Sequence, residues 1–497
     1  MDTKKIPLIT LLIIITVGLY FRVVGIQKNL SFWNDESHAA IYSRGVAQTG
    51  LPRDTQGRGR GIYQIGLYYV TGASFKLFGI SQTSGRLPSV AVGTILIGAM
   101  YFVTKKVTKR ELPALLASFL MAFSQIQLAW STQLRPYIWL ELFSLLVFYL
   151  GIKSLQSRTQ IFDRNFLIAA AVGGLSYLFH PIGFFNIIFL FGIFSYKSLT
   201  AKKWWYLFSI IPLGVITFFL IYFSIGRNMG DLIAFVLKIN TNTLHYRVFL
   251  RANYDWLLLG AGIGALYLYT KEKRVAIVLT SFIGLILFLA IFKINASYVR
   301  YCLPAFPLIY ILFSAGIEGL GGYYTNYTKN RKLYVPFFLL FAGIFLYFPI
   351  QRDKILAAPR FYYTINGDMR ENPIVDYQKA FERISVMIEG KDSLILMDAW
   401  NDRIPWYLPG RKYIFLVKNE KKIDPTFNEP MIGTIEGFEK EKKKYKNGLV
   451  IVENWESLTP PDLQKHIRDT LRHDFDVQNL PYNEADKWGI SIYSWGL

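Results

Sequence analysis

The chain has 497 residues, of which 52% are hydrophobic and only 18% charged, whereas soluble domains carry charge on about a quarter of their residues. Its net charge of +21 lies wholly in the first 350 residues, which hold 33 Lys/Arg against 11 Asp/Glu, while residues 351–497 hold 22 against 23. That split excludes a basic soluble module for gripping nucleic acid, and the single cysteine, Cys302, excludes an intramolecular disulfide or a cysteine metal cluster.

Apolar runs long enough to cross a bilayer recur from Ile6 to Ile350 and then stop. They predict eleven spans, at 6–26, 84–104, 112–130, 136–153, 164–179, 181–197, 204–224, 254–270, 275–292, 299–318 and 333–350. Lys4 and Lys5 precede the first run, which continues through Phe21 without a small-residue cleavage site, so it is expected to be a retained span. Six connectors (4–5, 105–110, 153–164, 197–203, 271–274 and 329–332) carry 18 Lys/Arg between them, and the short connectors opposite carry few. Positive charge marks the cytoplasmic side. The N-terminus is therefore expected inside the plasma membrane of a multi-pass protein, with residues 351–497 outside the cytoplasm.

Two outer loops are long, 27–83 and 225–253. Within the first, Ile62 to Phe78 is apolar but interrupted by glycines and Lys76, which predicts a helix lying in the interface. After residue 350 the pattern alternates between helix and strand. Helices are expected at Asp376–Ile388, Arg403–Leu408 and from Pro460-Pro461 to Leu471. Strands are expected at Ser393–Met397, Tyr413–Val417, Leu449–Val452 and Ile490–Tyr493. The run from Lys440 to Lys446 reads as a solvated helix face. The expected fold is a polytopic α-helical membrane domain over 1–350, followed by an extracytoplasmic α/β domain over 351–497.

Acids that can face outward are scarce: Asp35, Glu36, Asp54, Asp231 and Asp255. Asp35-Glu36 is the conspicuous pair, just beyond the first span. A sugar transferred to a hydroxyl needs a carboxylate to take that hydroxyl's proton and cations for a departing phosphate. Arginine suits the second task because its planar fork binds phosphate oxygens in pairs. Arg58, Arg60, Arg135 and Arg300 all fall near outer span ends. The plainer reading is that Asp35 caps the following helix and the arginines meet lipid headgroups. His180-Pro181 occupies an outer hairpin, where it either lines a donor pocket or simply turns the chain. Tyr63 and Tyr69, like Trp33, are aromatic residues that can stack on a sugar. Glu141 is an acid inside a span, and such acids are functional candidates.

Several motifs occur in a telling order: Trp33-Asn34-Asp35-Glu36, Leu67-Tyr68-Tyr69 through Phe78-Gly79, Arg86-Leu87-Pro88-Ser89, Ser131 through Tyr137, and Arg300-Tyr301-Cys302-Leu303-Pro304. Over residues 6–350 this order resembles the GT-C-fold glycosyltransferases that use polyprenyl-phosphate sugars, in their protein-mannosyltransferase-like, aminoarabinose-transferase-like branch. The resemblance implies a dolichyl- or undecaprenyl-phosphate sugar as donor, a glycan, lipid or protein hydroxyl as acceptor, and inversion at the sugar. It implies Asp35 as the general base and Glu36 as the second acid. Where the family has a basic residue and paired prolines, this sequence has Arg58-Gly59-Arg60-Gly61 and no proline. No cofactor is implied. A divalent metal on Asp35, Glu36 and His38 is the minor alternative, since three such ligands without fixed spacing fall short of a closed site. The competing class is a transporter or lipid-carrier flippase, against which stands the lack of an inverted repeat or paired broken helices.

Overall fold

A computed structural model of the chain describes residues 5–28, 31–32, 35–59, 61–157, 160–209, 243–294, 298–356, 375–398, 403–417, 423, 429–454, 457–477 and 489–497. In it, α1 (Ile6–Lys28) leads into α2 (Asp35–Thr49) and α3 (Ile65–Phe78), which precede α4 (Gln82–Thr108), α5 (Glu111–Phe123) and α6 (Gln125–Ser131). Next come α7 (Tyr137–Gln156), α8 (Arg164–Phe179), α9 (Phe184–Thr200), α10 (Thr243–Lys271), α11 (Lys273–Phe292), α12 (Phe306–Tyr327) and α13 (Tyr334–Gln351). Among the described residues, seven helical stretches are long and apolar enough to cross a membrane. The chain is a multi-pass membrane protein.

Those seven correspond to the expected spans beginning at 6, 84, 136, 181, 275, 299 and 333. The other four are not among these seven. The expected span 112–130 divides into α5 and α6 at Ser124, whose backbone is extended. There the neighbouring backbone groups leave the helix and pair with the chain after α13, Gln125 N–H to Lys354 O (2.8 Å) and Leu356 N–H to Phe123 O (3.0 Å). The helix over 164–179 has only 16 residues. The expected span 254–270 is the second part of the 29-residue α10, which breaks its helical geometry at Tyr254. The span at 204–224 lies mostly outside the described residues.

Small residues let α10 and α12 meet backbone to backbone. A Cβ added to Gly264 would lie 1.7 Å from Leu312 O, and one added to Gly316 would lie 2.2 Å from Gly260 O. Close approach of this kind is how helices associate where lipid offers no hydrophobic drive. The turn before α12, residues Val299–Ala305, carries Arg300 and packs against α7 and α11. At the same end of the bundle, α3 buries Leu67, Tyr68 and Phe75 and exposes Leu77 and Phe78. This is the one-sided character expected of residues 62–78.

The C-terminal domain is a six-stranded sheet of order β3-β2-β1-β4-β6-β5. Its strands are β1 (Ser393–Asp398), β2 (Tyr413–Leu416), β3 (Met431–Ile432), β4 (Asn447–Glu453), β5 (Arg472–Val477) and β6 (Ile490–Trp495). The first four in that order run parallel, and β6 pairs antiparallel with both β4 and β5. Helices α14 (Tyr377–Met387), α15 (Arg403–Tyr407), α16 (Ile435–Lys442) and α17 (Pro461–Thr470) complete it. The central strands are near-continuous apolar runs because both faces are covered. Ile395, Met397 and Leu449 pack with Phe381 and Ile384 on one side, and Leu396 and Val450 pack with Phe438 and Ile467 on the other.

Candidate active site

One end of the bundle gathers residues that are far apart in sequence. Asp35 stands in the first turn of α2. Arg135 ends the turn between α6 and α7, and its Nη1 donates to Oδ2 of Asp35. Arg300 reaches the same oxygen from the turn before α12, at 3.7 Å. The Asp35 side chain remains 46% exposed while the two arginines are almost wholly covered. Two fixed cations thus face one half-open carboxylate, with a route to it from solvent.

Aromatic rings build the wall. The Arg300 guanidinium lies 4.0 Å from the Tyr298 ring, 5.4 Å from Tyr301 and 5.8 Å from Tyr137. Such stacking holds a guanidinium in place by cation–π attraction. Tyr137 packs on His180 (5.4 Å between rings), and Tyr63 packs on the same imidazole at 6.0 Å. His180 caps the short turn that follows α8, its Nδ1 accepting from Ile182 N–H (3.1 Å). Burial first, and then the charges of Arg300 and Arg135, push the imidazole down to about 3. His180 is therefore a neutral ring in this wall across the physiological range.

Glu36 is placed otherwise. It is 2% exposed. Its two oxygens accept from Arg86 Nε and Nη2, both at 2.9 Å, and Oε1 also accepts from Leu134 N–H at 2.7 Å. Arg86, fully buried near the start of α4, additionally donates to Ser31 O (2.7 Å) and lies 5.0 Å over the Phe32 ring. A carboxylate saturated by a forked guanidinium and a backbone amide is a clamp. It fastens α2, α4 and the Arg135 turn to one another.

The remaining expected residues divide. Arg58 pairs with Asp54 four residues earlier (2.8 Å), and that carboxylate also accepts from the N–H groups of Gln56 and Arg58. The pair closes the loop's own turn. Arg60 lies outside the described residues, as does Asp231. Asp255 pairs with Arg352 at 3.2 Å. His38 packs on Tyr42 at 5.0 Å, and among the described residues no group of three His, Cys, Asp or Glu is placed to hold a metal ion. Glu141 is fully buried in α7, near enough to Arg22 of α1 for their charges to interact.

Sequence reasoning passed over Arg86, Tyr137 and Tyr298 as site residues. The signal available for Arg86 was its position inside an apolar helix, where a charge demands a partner. The tyrosines were hidden among aromatics that form 16% of the chain.

Comparisons with known proteins agree with this architecture. Residues 65–222 match the family described as dolichyl-phosphate-mannose-protein mannosyltransferase. The fold is similar to that of ArnT from Cupriavidus metallidurans bound to undecaprenyl phosphate, with a TM-score of 0.57, 13% identity and 97% of each chain covered. It is similar also to the archaeal oligosaccharyltransferase AglB from Archaeoglobus fulgidus in complex with an inhibitory peptide and a dolichol-phosphate. There the TM-score is 0.56 at 13% identity, covering 90% of this chain and 69% of the other. Comparison with curated proteins gives no match. The chain has the GT-C fold. Its resemblance to the polyprenyl-phosphate-sugar glycosyltransferases of that fold runs through the family match and both neighbours.

Proposed function

We propose that the protein transfers a sugar from a polyprenyl-phosphate donor to an acceptor hydroxyl at the outer membrane face, with inversion. The observation that carries this reading is the meeting of Asp35, Arg135 and Arg300, from three separate elements, at one half-open position. In the reaction the acceptor oxygen attacks the anomeric carbon, the bond from that carbon to the phosphate oxygen breaks, and its electron pair leaves on the phosphate. Arg135 and Arg300 offer the donors that stabilise this growing charge. Asp35 takes the hydroxyl proton as the new bond forms. Donor phosphate competes with Asp35 for the two guanidinium edges, so its binding releases the carboxylate for the acceptor.

The tyrosines around Arg300 and His180 form an amphipathic wall suited to one face of a sugar. ArnT is described with undecaprenyl phosphate and AglB with a dolichol-phosphate, which supports a lipid phosphate as the shared ligand chemistry. On this reading the enzyme needs no metal, and turnover should persist in chelator. It sits in the plasma membrane with its N-terminus inside, so the soluble domain and Asp35 share the outer side. The test is a panel of polyprenyl-phosphate sugars presented to the purified protein. Consumption of one of them with release of polyprenyl phosphate is expected, and a protein that consumes none while transporting such lipids would favour the flippase.

A further inference from the structure

The soluble domain does not merely follow the membrane domain in sequence; it grips the turn that presents Asp35. Its helix α15 is the contact. The Tyr407 hydroxyl accepts from Phe32 N–H (2.9 Å) and from Gln82 Nε2 (3.1 Å), and lies 3.3 Å from Phe32 O, to which it donates. A phenol has one proton to give and two lone pairs to share, so these three bonds use its full capacity. Both backbone groups of Phe32 are thereby pinned three residues before Asp35. Burial pushes the phenol's pKa up, which keeps it in the protonated form that this bonding pattern requires.

Neighbouring contacts act on the same short segment. Trp406 packs on the Phe32 ring at 5.1 Å. Ser31 Oγ accepts from Gln378 N–H (3.2 Å) at the start of α14. Further along α2, Arg44 donates to Pro405 O (2.6 Å) and Trp406 O (3.2 Å) and lies over the Trp406 ring. Behind α15, Arg403 is fixed by the buried carboxylate of Glu453 at the end of β4, which also accepts from Tyr377 Oη (3.0 Å). On the other side, Arg86 takes Ser31 O and both oxygens of Glu36. A chain of bonds therefore runs from the sheet, through α15, to the residues that flank Asp35.

We propose that Tyr407 is a positioning residue: through Phe32 it sets where the Asp35 carboxylate stands relative to Arg135 and Arg300, which makes the soluble domain a working part of the active site. This rests on the role proposed above for Asp35. An ordinary docking contact would also explain the burial. It would not explain why the bonds fall on the backbone of Phe32, on the Ser31 hydroxyl and on α2 itself. Displacement of a reacting group by about 1 Å can cost 10²-fold in rate, so losing the tether is expected to lower kcat while leaving the arginines, and hence the lipid phosphate, in place.

The test uses the full chain in lipid nanodiscs with Tyr407→Phe. Amide hydrogen exchange over residues 35–49 should quicken about tenfold while exchange over 137–156 is unchanged. Affinity for undecaprenyl phosphate should stay within about twofold, and turnover of the donor found in the panel should fall about tenfold at constant KM. Gln82→Leu, which removes one of the three bonds, should move the same quantities in the same direction by a smaller factor. It carries the test alone should Tyr407→Phe not fold. Unchanged exchange and turnover would overturn the proposal. So would a parallel loss of lipid affinity, turnover and protection over 137–156, because that is the mark of a merely structural role. Exchange needs no donor, so the two readings fail separately. Loosened α2 amides, together with an Asp35→Asn protein that still turns over, would sink the base assignment and keep the tether.

Discussion

The open mouth around Asp35 and the closed clamp around Glu36 are one residue apart in sequence and opposite in physical character. Both carboxylates face arginine. Asp35 stays half exposed beside two nearly covered guanidinium groups, so a ligand can reach that position from solvent. Glu36 is enclosed, bonded on both oxygens to Arg86 and on one to Leu134, so its partners are permanent. Exposure, rather than residue type or spacing, separates a group that can do chemistry from one that holds the fold. The clamp also serves the mouth, because Leu134 precedes Arg135 and Ser31 O lies under Arg86.

The largest effect is expected at the clamp. Arg86→Met removes one partner of a buried pair and should cost about 3–5 kcal/mol of stability, because it leaves the buried Glu36 charge with only the Leu134 N–H. Thermal unfolding in detergent measures this. A change within about 0.5 kcal/mol, the usual range for a surface substitution, would erase the distinction between the two sites. A smaller and different effect is expected at the mouth. Arg300→Lys keeps the charge but loses the fork and its stacking on Tyr298. Affinity for undecaprenyl phosphate should weaken about tenfold, equivalent to about 1.4 kcal/mol, with stability nearly unchanged. Equal affinity for variant and parent would remove Arg300 from the phosphate site.

The smallest effect belongs to a third carboxylate, which sets the scale for a plain surface pair. Glu439 accepts from His466 (2.8 Å), and that bond first, with Lys442 beside it, holds the carboxyl below its ordinary value of 4.5. A depressed carboxyl stabilises the fold above its unfolded pKa and loses that contribution as pH falls through the folded value. Solvent screens this pair, so Glu439→Gln should cost about 0.5 kcal/mol or less at neutral pH and nothing well below 4.5. A larger loss, or one that persists in acid, would show that burial is not what ranks these three sites.

Much of the architecture was legible because lipid imposes length and charge rules. The seven clear spans, the one-sided helix in the first loop and the alternating tail all follow from periodicity and from where lysine and arginine fall. Asp35, Arg135 and Arg300 stood out because outward acids are rare and arginines at span ends are few. The clamp did not, since Glu36 meets Arg86 fifty residues on and Leu134 farther still, and no local pattern encodes such a meeting. Arg58 and Asp54 were legible in principle, being four residues apart with opposite charge. Tyr407 was beyond reach, because its partner Phe32 lies 375 residues away. Strand β5 was missed for a simpler reason: Arg-His-Asp-Phe-Asp-Val at a sheet edge is mostly polar.

The central claim is that Asp35 removes a proton while Arg135 and Arg300 hold the phosphate, and one variant separates these roles. Asp35→Asn keeps the size of the side chain and its ability to cap a helix, but it removes the base and the charge that competes for the arginines. Undecaprenyl phosphate should bind at least as tightly as to the parent, while turnover of the polyprenyl-phosphate sugar drops by about 10²-fold or more, the scale of general-base catalysis. Glu36→Gln, measured beside it, should act on stability first. An Asp35→Asn protein that binds the lipid and keeps most of its turnover would contradict the account.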